Sequence, residues 1–576
     1  MTGSALIEVD GLTVEFTTRD GPVTAVHDVD LMLNKGETLG IVGESGSGKS
    51  VTSFAIMRIL DRNGRIVHGR LHYGGVDLRT ANQTDMNDIR GREISMIFQN
   101  PRVALNPIRK IGRQIEDVLR RHAQASRGDA RQRAIALLDT VKIAEPAERY
   151  HAYPHELSGG MCQRVVIAIA LACQPRVLIA DEPTTGLDVT TQKAILDLVK
   201  ELVRARGMSA ILITHDLGLA AMYCDRIEVM KAGKVVESAT SQALFAAPKH
   251  PYTRALVNAT PRPGCRVADL LPDGAHERAD SRDGIVKAPT KTDRPLLEIS
   301  NLMKVFDRQR LGLLPFGRRD VTPPPAVGGL SFELMRGESV GLVGESGCGK
   351  STTSLLLMRL LDPTSGSIVF DGTDLASIPA SEFAARPERP RLQMVFQDPT
   401  ESLNPRFTAA RSIADPILRL GAFTGRGAVQ RRVSELADMV SLSRDLLERF
   451  PHQLSGGQKA RVGIARAIAL HPEFLVLDEP TAALDVSVQA VVLNLLVELR
   501  AALNMTYLFV SHDLNVVRLM CDRVMVMQRG RLVEQGDVED VLSTPASDYT
   551  RRLLAASPEP PPRQSDQNHA TSGAAF

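Results

Sequence analysis

The octapeptide GESGSGKS spans residues 43–50, and GESGCGKS spans residues 344–351. Both fit the pattern GxxxxGK[ST]. In that pattern the glycines let consecutive backbone N–H groups curl around phosphate oxygens, and the following helix aims its N-terminus at the same charge. Gly43, Ser45, Gly46 and Gly48 form the first candidate cradle; Gly344, Ser346, Gly347 and Gly349 form the second. Lys49 and Lys350 can reach the terminal phosphates, and Ser50 and Ser351 can ligate Mg2+. Each octapeptide completes an apolar run, ETLGIVG at 37–43 and ESVGLVG at 338–344. A strand leading into a glycine-rich turn and then a helix is therefore expected twice.

Working outward, the repetition continues in one order. IFQNPRVALNP (97–107) matches VFQDPTESLNP (395–405), and YPHELSGGM (153–161) matches FPHQLSGGQ (450–458). VLIADEPTTGLD (177–188) matches LVLDEPTAALD (475–485), and ITHDL (213–217) matches VSHDL (510–514). A repeat of this length predicts two equivalent domains, at 1–260 and 295–556. Residues 261–294 are rich in Pro, Gly and charge and read as a flexible linker; residues 557–576 read as a disordered tail. Short apolar runs such as RVLIAD and AILIT alternate with helical stretches. That alternation predicts an α/β fold whose mostly parallel sheet is covered on both faces.

Phosphoryl transfer is mostly positioning and charge stabilisation, so side chains beyond the cradle are needed. Asp181 and Asp478 end apolar strands, where a carboxylate can orient a Mg2+ shell. Glu182 and Glu479 follow and are the candidates to polarise an attacking water. Gln99 and Gln397 follow the strand-like SMIF and QMVF and could sense Mg2+ or that water. His215 and His512 sit at strand ends, within reach of a γ-phosphate.

Composition narrows the alternatives. The 576 residues carry 69 basic and 67 acidic side chains, a net charge of +2, which gives no support to broad nucleic-acid binding. Aromatics make up 4% and Trp is absent, so a base-stacking platform is poorly supplied. The N-terminal stretch lacks the pattern of a signal peptide. The most apolar run, VVIAIALAC (165–173), is stopped by Gln174-Pro175-Arg176, and no run reaches the ~18–20 apolar residues of a membrane span. The six cysteines contain no CxxC pair, so neither a disulfide framework nor a zinc site is expected.

At LSGGM (157–161) and LSGGQ (454–458) the chain resembles the nucleotide-binding domains of ABC ATPases. The resemblance covers nearly the whole chain. It implies two tandem P-loop NTPase domains, each with a RecA-like core, an antiparallel β subdomain and a helical subdomain. It also implies ATP and Mg2+ as ligands, and head-to-tail pairing in which each ATP lies between one domain's P-loop and the other's signature. The signatures are Ser158, Gly159 and Gly160, and Ser455, Gly456 and Gly457. Lys49, Ser50, Gln99, Glu182 and His215 would then work with the second signature; Lys350, Ser351, Gln397, Glu479 and His512 would work with the first. Asp188 and Asp485 would lie at the seam, and Phe16 and Phe306 would stack on adenine. Met161 departs from the usual signature Gln, and Gly186 from a common Ala.

The ALNP and SLNP stretches and HPYTRALVNATP (250–261) resemble the oligopeptide/dipeptide importer ATPases; DYTRRLLAASP (548–558) is a weaker copy. That narrower resemblance implies two integral membrane permeases and an extracytoplasmic binding protein as partners, and a location on the cytoplasmic face of the inner membrane. Some members of that group carry a cysteine cluster after this region. Here Cys265 stands alone, so no iron–sulfur cluster is expected. A soluble tandem ATPase acting on ribosomes or nucleic acid is the alternative, and an exporter motor a third. Finally, Cys348 lies beside a helix N-terminus that favours a thiolate. With Cys162 it would border one composite site, so alkylation is expected to impair that site first.

Overall fold

The computed structural model describes residues 5–19, 21–123, 125–271, 294–306, 324–421, 425–482 and 484–558. The chain divides into two compact units, the first built on the residues up to Thr260 and the second on Pro261–Ser557.

The first unit begins with long alternating strands, β1 (Ala5–Thr18) and β2 (Gly21–Asn34). They pair antiparallel with each other, and β1 also pairs with β4 (Gly64–Tyr73), which carries the short β5 (Val76–Asp77). The order is β2-β1-β4-β5. A second sheet has the order β10-β9-β3-β8-β7-β6, from β3 (Thr38–Val42), β6 (Ile94–Ile97), β7 (Val177–Asp181), β8 (Ser209–Thr214), β9 (Arg226–Lys231) and β10 (Lys234–Thr240). Only the β9–β10 edge of this sheet is antiparallel. Every residue of β6, β7 and β8 is buried, as strands covered on both faces require. Helices Ile111–His122, Arg127–Thr140 and Gly159–Ala170 supply one apolar cluster through Ile111, Ile115, Leu119, Ala134, Leu138 and Val165.

The second unit repeats the plan. β11 (Pro295–Lys304), β12 (Val327–Met335), β14 (Ser365–Phe370) and β15 (Thr373–Asp374) form the antiparallel sheet, in the order β12-β11-β14-β15. β13 (Ser339–Val343), β16 (Leu392–Val395), β17 (Phe474–Asp478), β18 (Thr506–Ser511), β19 (Arg523–Gln528) and β20 (Arg531–Asp537) form the other, in the order β16-β17-β18-β13-β19-β20. The expected strands at ETLGIVG, RVLIAD, AILIT and their counterparts are all present. They are central strands of two mostly parallel sheets.

Two features differ from the sequence reading. First, helix Val486–Leu503 is long and apolar enough, by length and composition, to cross a membrane. No unbroken apolar run announces it, because Gln489, Asn494, Glu498 and Arg500 interrupt the stretch. The helix is tied into its unit: Leu496 O accepts the Tyr507 hydroxyl at 3.0 Å, and the Arg500 guanidinium donates to Gly337 O at 2.7 Å. Second, the start of the expected linker is structured. Val267–Leu270 forms a 3-10 turn, Leu270 is buried, and Val267 O accepts Asn494 Nδ2 at 2.9 Å. Residues 272–293 and those beyond Pro558 lie outside the described residues.

One buried charge distinguishes the copies. Glu228 on β9 faces the register position of Ile41, where the second unit has Met525 opposite Leu342. Burial pushes its carboxyl from 4.5 up to about 7, against the pull of Arg226, whose Nη1 donates to Oε1 at 2.7 Å. Between these values the folded chain holds a proton that the unfolded chain has released. Stability therefore falls as pH rises from about 4.5 through 7 and is level above, by up to about 3 kcal/mol in total. Glu228→Met is expected to remove that slope. Calorimetry of the full chain should find little difference from the parent at pH 5 and a higher first-unit melting temperature at pH 8.

Candidate active site

The sheet register assembles the site. In the first unit Val42 pairs with Thr214, and Asp181 with Ile213, so β3, β7 and β8 end side by side. From those ends come the phosphate loop, the Asp181–Glu182 pair and His215. Ligand sites of open α/β sheets form at the carboxyl ends of strands for this reason. The second unit aligns Val343 with Ser511 and Asp478 with Val510.

The phosphate loops fit only glycine at their crossings. A Cβ on Gly43 would lie 2.2 Å from Met230 O, and one on Gly344 2.2 Å from Met527 O. A Cβ on Gly48 (φ +99°) would lie 2.9 Å from Ala25 O and one on Gly349 (φ +110°) 2.3 Å from Ala326 O, whereas Gly46 and Gly347 face open space. The loops run into helices Lys49–Met57 and Lys350–Leu357. Lys49 is buried, and its Nζ donates to Gly43 O at 2.7 Å and Glu44 O at 2.9 Å. Lys350 does the same with Gly344 O and Glu345 O, at 2.6 and 3.0 Å.

Around each loop the sequence-predicted carboxylates converge. Ser50 Oγ donates to Asp181 Oδ1 at 2.9 Å. Burial pushes the carboxyls of Asp181 and Asp478 up to about 6. Asp478 Oδ1 is buried without a hydrogen-bond partner. A desolvated carboxylate beside a serine hydroxyl, with one oxygen unsatisfied, suits a hard cation with oxygen ligands such as Mg2+.

Glu182 takes Gln99 Nε2 at 2.7 Å and the Thr185 hydroxyl at 2.9 Å on Oε2, and His215 Nδ1 at 3.4 Å on Oε1. Burial opposes its charge, but His215 and Thr185 outweigh it and hold the carboxyl at about 2. Glu479 takes Gln397 Nε2 at 2.8 Å and His512 Nδ1 at 3.3 Å, and is also held below the usual range despite burial. Burial works against the charged form of both histidines, yet their glutamates raise them. Both glutamates sit at positive φ, 43° and 48°, a backbone strain kept in both copies. Thr185 has no counterpart hydroxyl, because Ala482 occupies its place; the sequence reading did not single it out.

The signature residues begin helices Gly159–Ala170 and Gly456–Ile468. Ser158 Oγ accepts Met161 N–H and Ser455 Oγ accepts Gln458 N–H, each at 3.3 Å. Gln458 Oε1 returns a bond to Ser455 N–H at 2.9 Å, completing a capping box that Met161 cannot make. Gly160 and Gly457 are needed for close approach: a Cβ there would lie 2.5 Å from Thr191 Cγ2 or 2.4 Å from Val488 Cγ1. Gly159 and Gly456 face Leu187 and Leu484. Asp188 caps helix Val189–Ala205 through Thr191 N–H at 3.0 Å, and Asp485 heads the matching helix. Phe16 lies near the end of β1, half-buried, its ring against Gly64; Phe306 is exposed, with Lys304 Nζ 5.4 Å from its ring centre.

Two such loop-and-signature sets are also what comparison with known proteins returns. The ABC transporter profile matches residues 26–185 and 327–482. The chain belongs to the ABC transporter ATPase family. The profile of the oligopeptide/dipeptide transporter C-terminal region matches residues 236–280 and 533–575, one behind each ABC cassette. The glutathione import ATP-binding protein GsiA of Pectobacterium atrosepticum is 43% identical over 98% of this chain and 91% of its own. GsiA of Escherichia coli K12 is 42% identical over the same shares. Among solved structures, the dimeric bacterial ABC transporter cassette MJ0796 is similar over 41% of this chain and 98% of its own, at 29% identity and a TM-score of 0.38. The chain is an importer-type ABC ATPase with two cassettes.

The thiolate expected in the second ABC cassette is a correction. Cys348 is buried, and desolvation raises its thiol against the pull of Lys350 and the helix start. Cys162 is fully buried, its Sγ donating to Pro154 O, and burial raises it too. Removal from water outweighs the helix terminus. Iodoacetamide at neutral pH should therefore label the partly exposed Cys265 before Cys348 or Cys162 in the native chain. Peptide mapping should find that order lost in urea. At the loop itself, Gly349→Ala forces a Cβ to 2.3 Å from Ala326 O. Titration with a fluorescent ATP analogue should find the affinity of that cassette reduced at least ~10-fold, the scale of a few kcal/mol of overpacking.

Proposed function

We propose that this chain is the double ATPase of an importer for glutathione, peptides or related solutes, driven by ATP at two composite sites. The observation that carries the reading is the 43% identity to a glutathione import ATP-binding protein, spread over both cassettes and both C-terminal regions. Lys49 and Lys350, held on their loop carbonyls, would reach the terminal phosphates. The backbone N–H groups of Gly46, Gly48, Gly347 and Gly349 line the cradle, with Ser45 and Ser346 at its rim. Ser50 with Asp181, and Ser351 with Asp478, would hold Mg2+, with Gln99 and Gln397 completing the set. The ion neutralises phosphate charge.

Glu182 and Glu479 accept the proton of the attacking water. Their lowered pKa keeps them ionised, and His215 and His512 hold them in place. Each cassette's signature, Ser158–Gly160 or Ser455–Gly457, would close on the other's nucleotide. Phe16 and Phe306 would stack on adenine. Two integral membrane permeases and an extracytoplasmic binding protein complete the assembly, with this chain peripheral on the cytoplasmic face of the inner membrane.

Glu182→Gln/Glu479→Gln is expected to lower ATP turnover at least ~100-fold, the usual scale of a lost general base. With ATP present, the tagged double variant should recover two membrane proteins and a solute-binding protein from gentle detergent. Recovery of ribosomes without a permease would sink the importer reading.

A further inference from the structure

The peptide unit joining Gly43 to Glu44 is gripped from both sides. Its carbonyl accepts Lys49 Nζ at 2.7 Å, and its N–H donates to the hydroxyl of Tyr252 at 3.3 Å. The same peptide in the second cassette is held the same way. Gly344 O accepts Lys350 Nζ at 2.6 Å, and Glu345 N–H donates to the hydroxyl of Tyr549 at 3.1 Å.

Both tyrosines lie outside the matched ABC cassettes and inside the matched C-terminal regions. They are mostly buried, in the first turns of helices Pro251–Ala259 and Asp548–Ala556. Those turns are anchored alike by a glutamate and capped by different residues. The Glu237 carboxylate accepts the N–H groups of Lys249 and His250 at 2.8 and 2.9 Å, and Glu534 those of Ala546 and Ser547 at 2.7 and 3.1 Å. His250 Nδ1 caps Tyr252 N–H at 3.1 Å, where Ser547 Oγ caps Tyr549 N–H at 3.2 Å. The cap changed chemistry between the copies, while the hydroxyl-to-loop bond stayed.

We propose that Tyr252 and Tyr549 are positioning residues for the phosphate loops, through which the C-terminal region of each cassette sets its affinity for ATP. A peptide that follows glycine can rotate about its neighbours, exchanging the directions of C=O and N–H. With the N–H held on the tyrosine, the carbonyl stays on the lysine. Released, the peptide can turn its N–H toward an ammonium that is itself only a donor, and the lysine loses its starting place. The inference rests on reading these loops as the ATP sites.

The test compares the full-length chain with Tyr252→Phe, Tyr549→Phe and the double variant, reading the KM for ATP, kcat and Tm. Losing one neutral hydrogen bond at each loop should raise KM about fivefold in the double variant, with kcat within about twofold and Tm lowered by only a few degrees. An unchanged KM overturns the proposal. So does a KM that rises only in step with a fall in Tm as large as ring deletion causes, because the tyrosines would then merely pack. Tyr252→Leu and Tyr549→Leu, which delete the ring, calibrate that second case. A wild-type chain with no Mg2+-dependent ATPase activity would sink the reading of the site itself. An active wild type indifferent to the hydroxyls sinks this inference alone.

Discussion

The clearance between the phosphate loop and the backbone passing over it governs each cassette. A Cβ on Gly43 or Gly344 would lie 2.2 Å from a main-chain carbonyl of the neighbouring strand's end, a distance no side chain can occupy. Main chain must therefore lie directly on main chain. The loop can do so only because β3 and β13 are flanked on both sides by parallel partners in fixed register. That register in turn brings the carboxylates and histidines from β7, β8, β17 and β18 to the loop. The buried strands thus serve to hold one narrow gap, and the charged groups follow from where those strands stop.

Two copies in one chain act as controls for each other. Retained in both are the glycine clearances, the lysines on their loop carbonyls, the strained glutamates with Gln and His partners, and the tyrosine on the loop peptide. Thr185 against Ala482, Met161 against Gln458, Ser47 against Cys348 and Glu228 against Met525 have drifted. Most of the drifted positions adjust the strength of an arrangement whose geometry both copies keep. Glu228 is different in kind: it places a costly buried charge in one sheet, while its counterpart fills the same position with a thioether.

Much of the site was legible because its chemistry depends on residue type at fixed spacing. GxxxxGKS, the DE pair after a strand and the histidine after another each state their own requirement, and repetition removed the chance readings. The strands were legible for a related reason: full burial demands unbroken apolar runs. What stayed hidden depends on burial and on partners distant in sequence. Cys348 was read from its helix terminus, and only the fold reveals that it has left water. Helix Val486–Leu503 hid because Gln489, Asn494, Glu498 and Arg500 break up its apolar letters. The Val267–Leu270 turn read as linker because its hydrogen-bond partner, Asn494, lies more than two hundred residues away. Tyr252 stood in a quoted motif without a role, since nothing local points it toward Glu44.

The fusion of the two cassettes has a consequence for how the protein can change. In a pair assembled from identical subunits, every substitution is met twice, and a mildly harmful one doubles its burden. Here the Glu228 burden falls on one half only, and the missing signature glutamine likewise. A single reading frame also delivers both halves in strict one-to-one stoichiometry. The chain can therefore explore unequal halves one residue at a time, at a mutational load that a symmetric homodimer would carry in full.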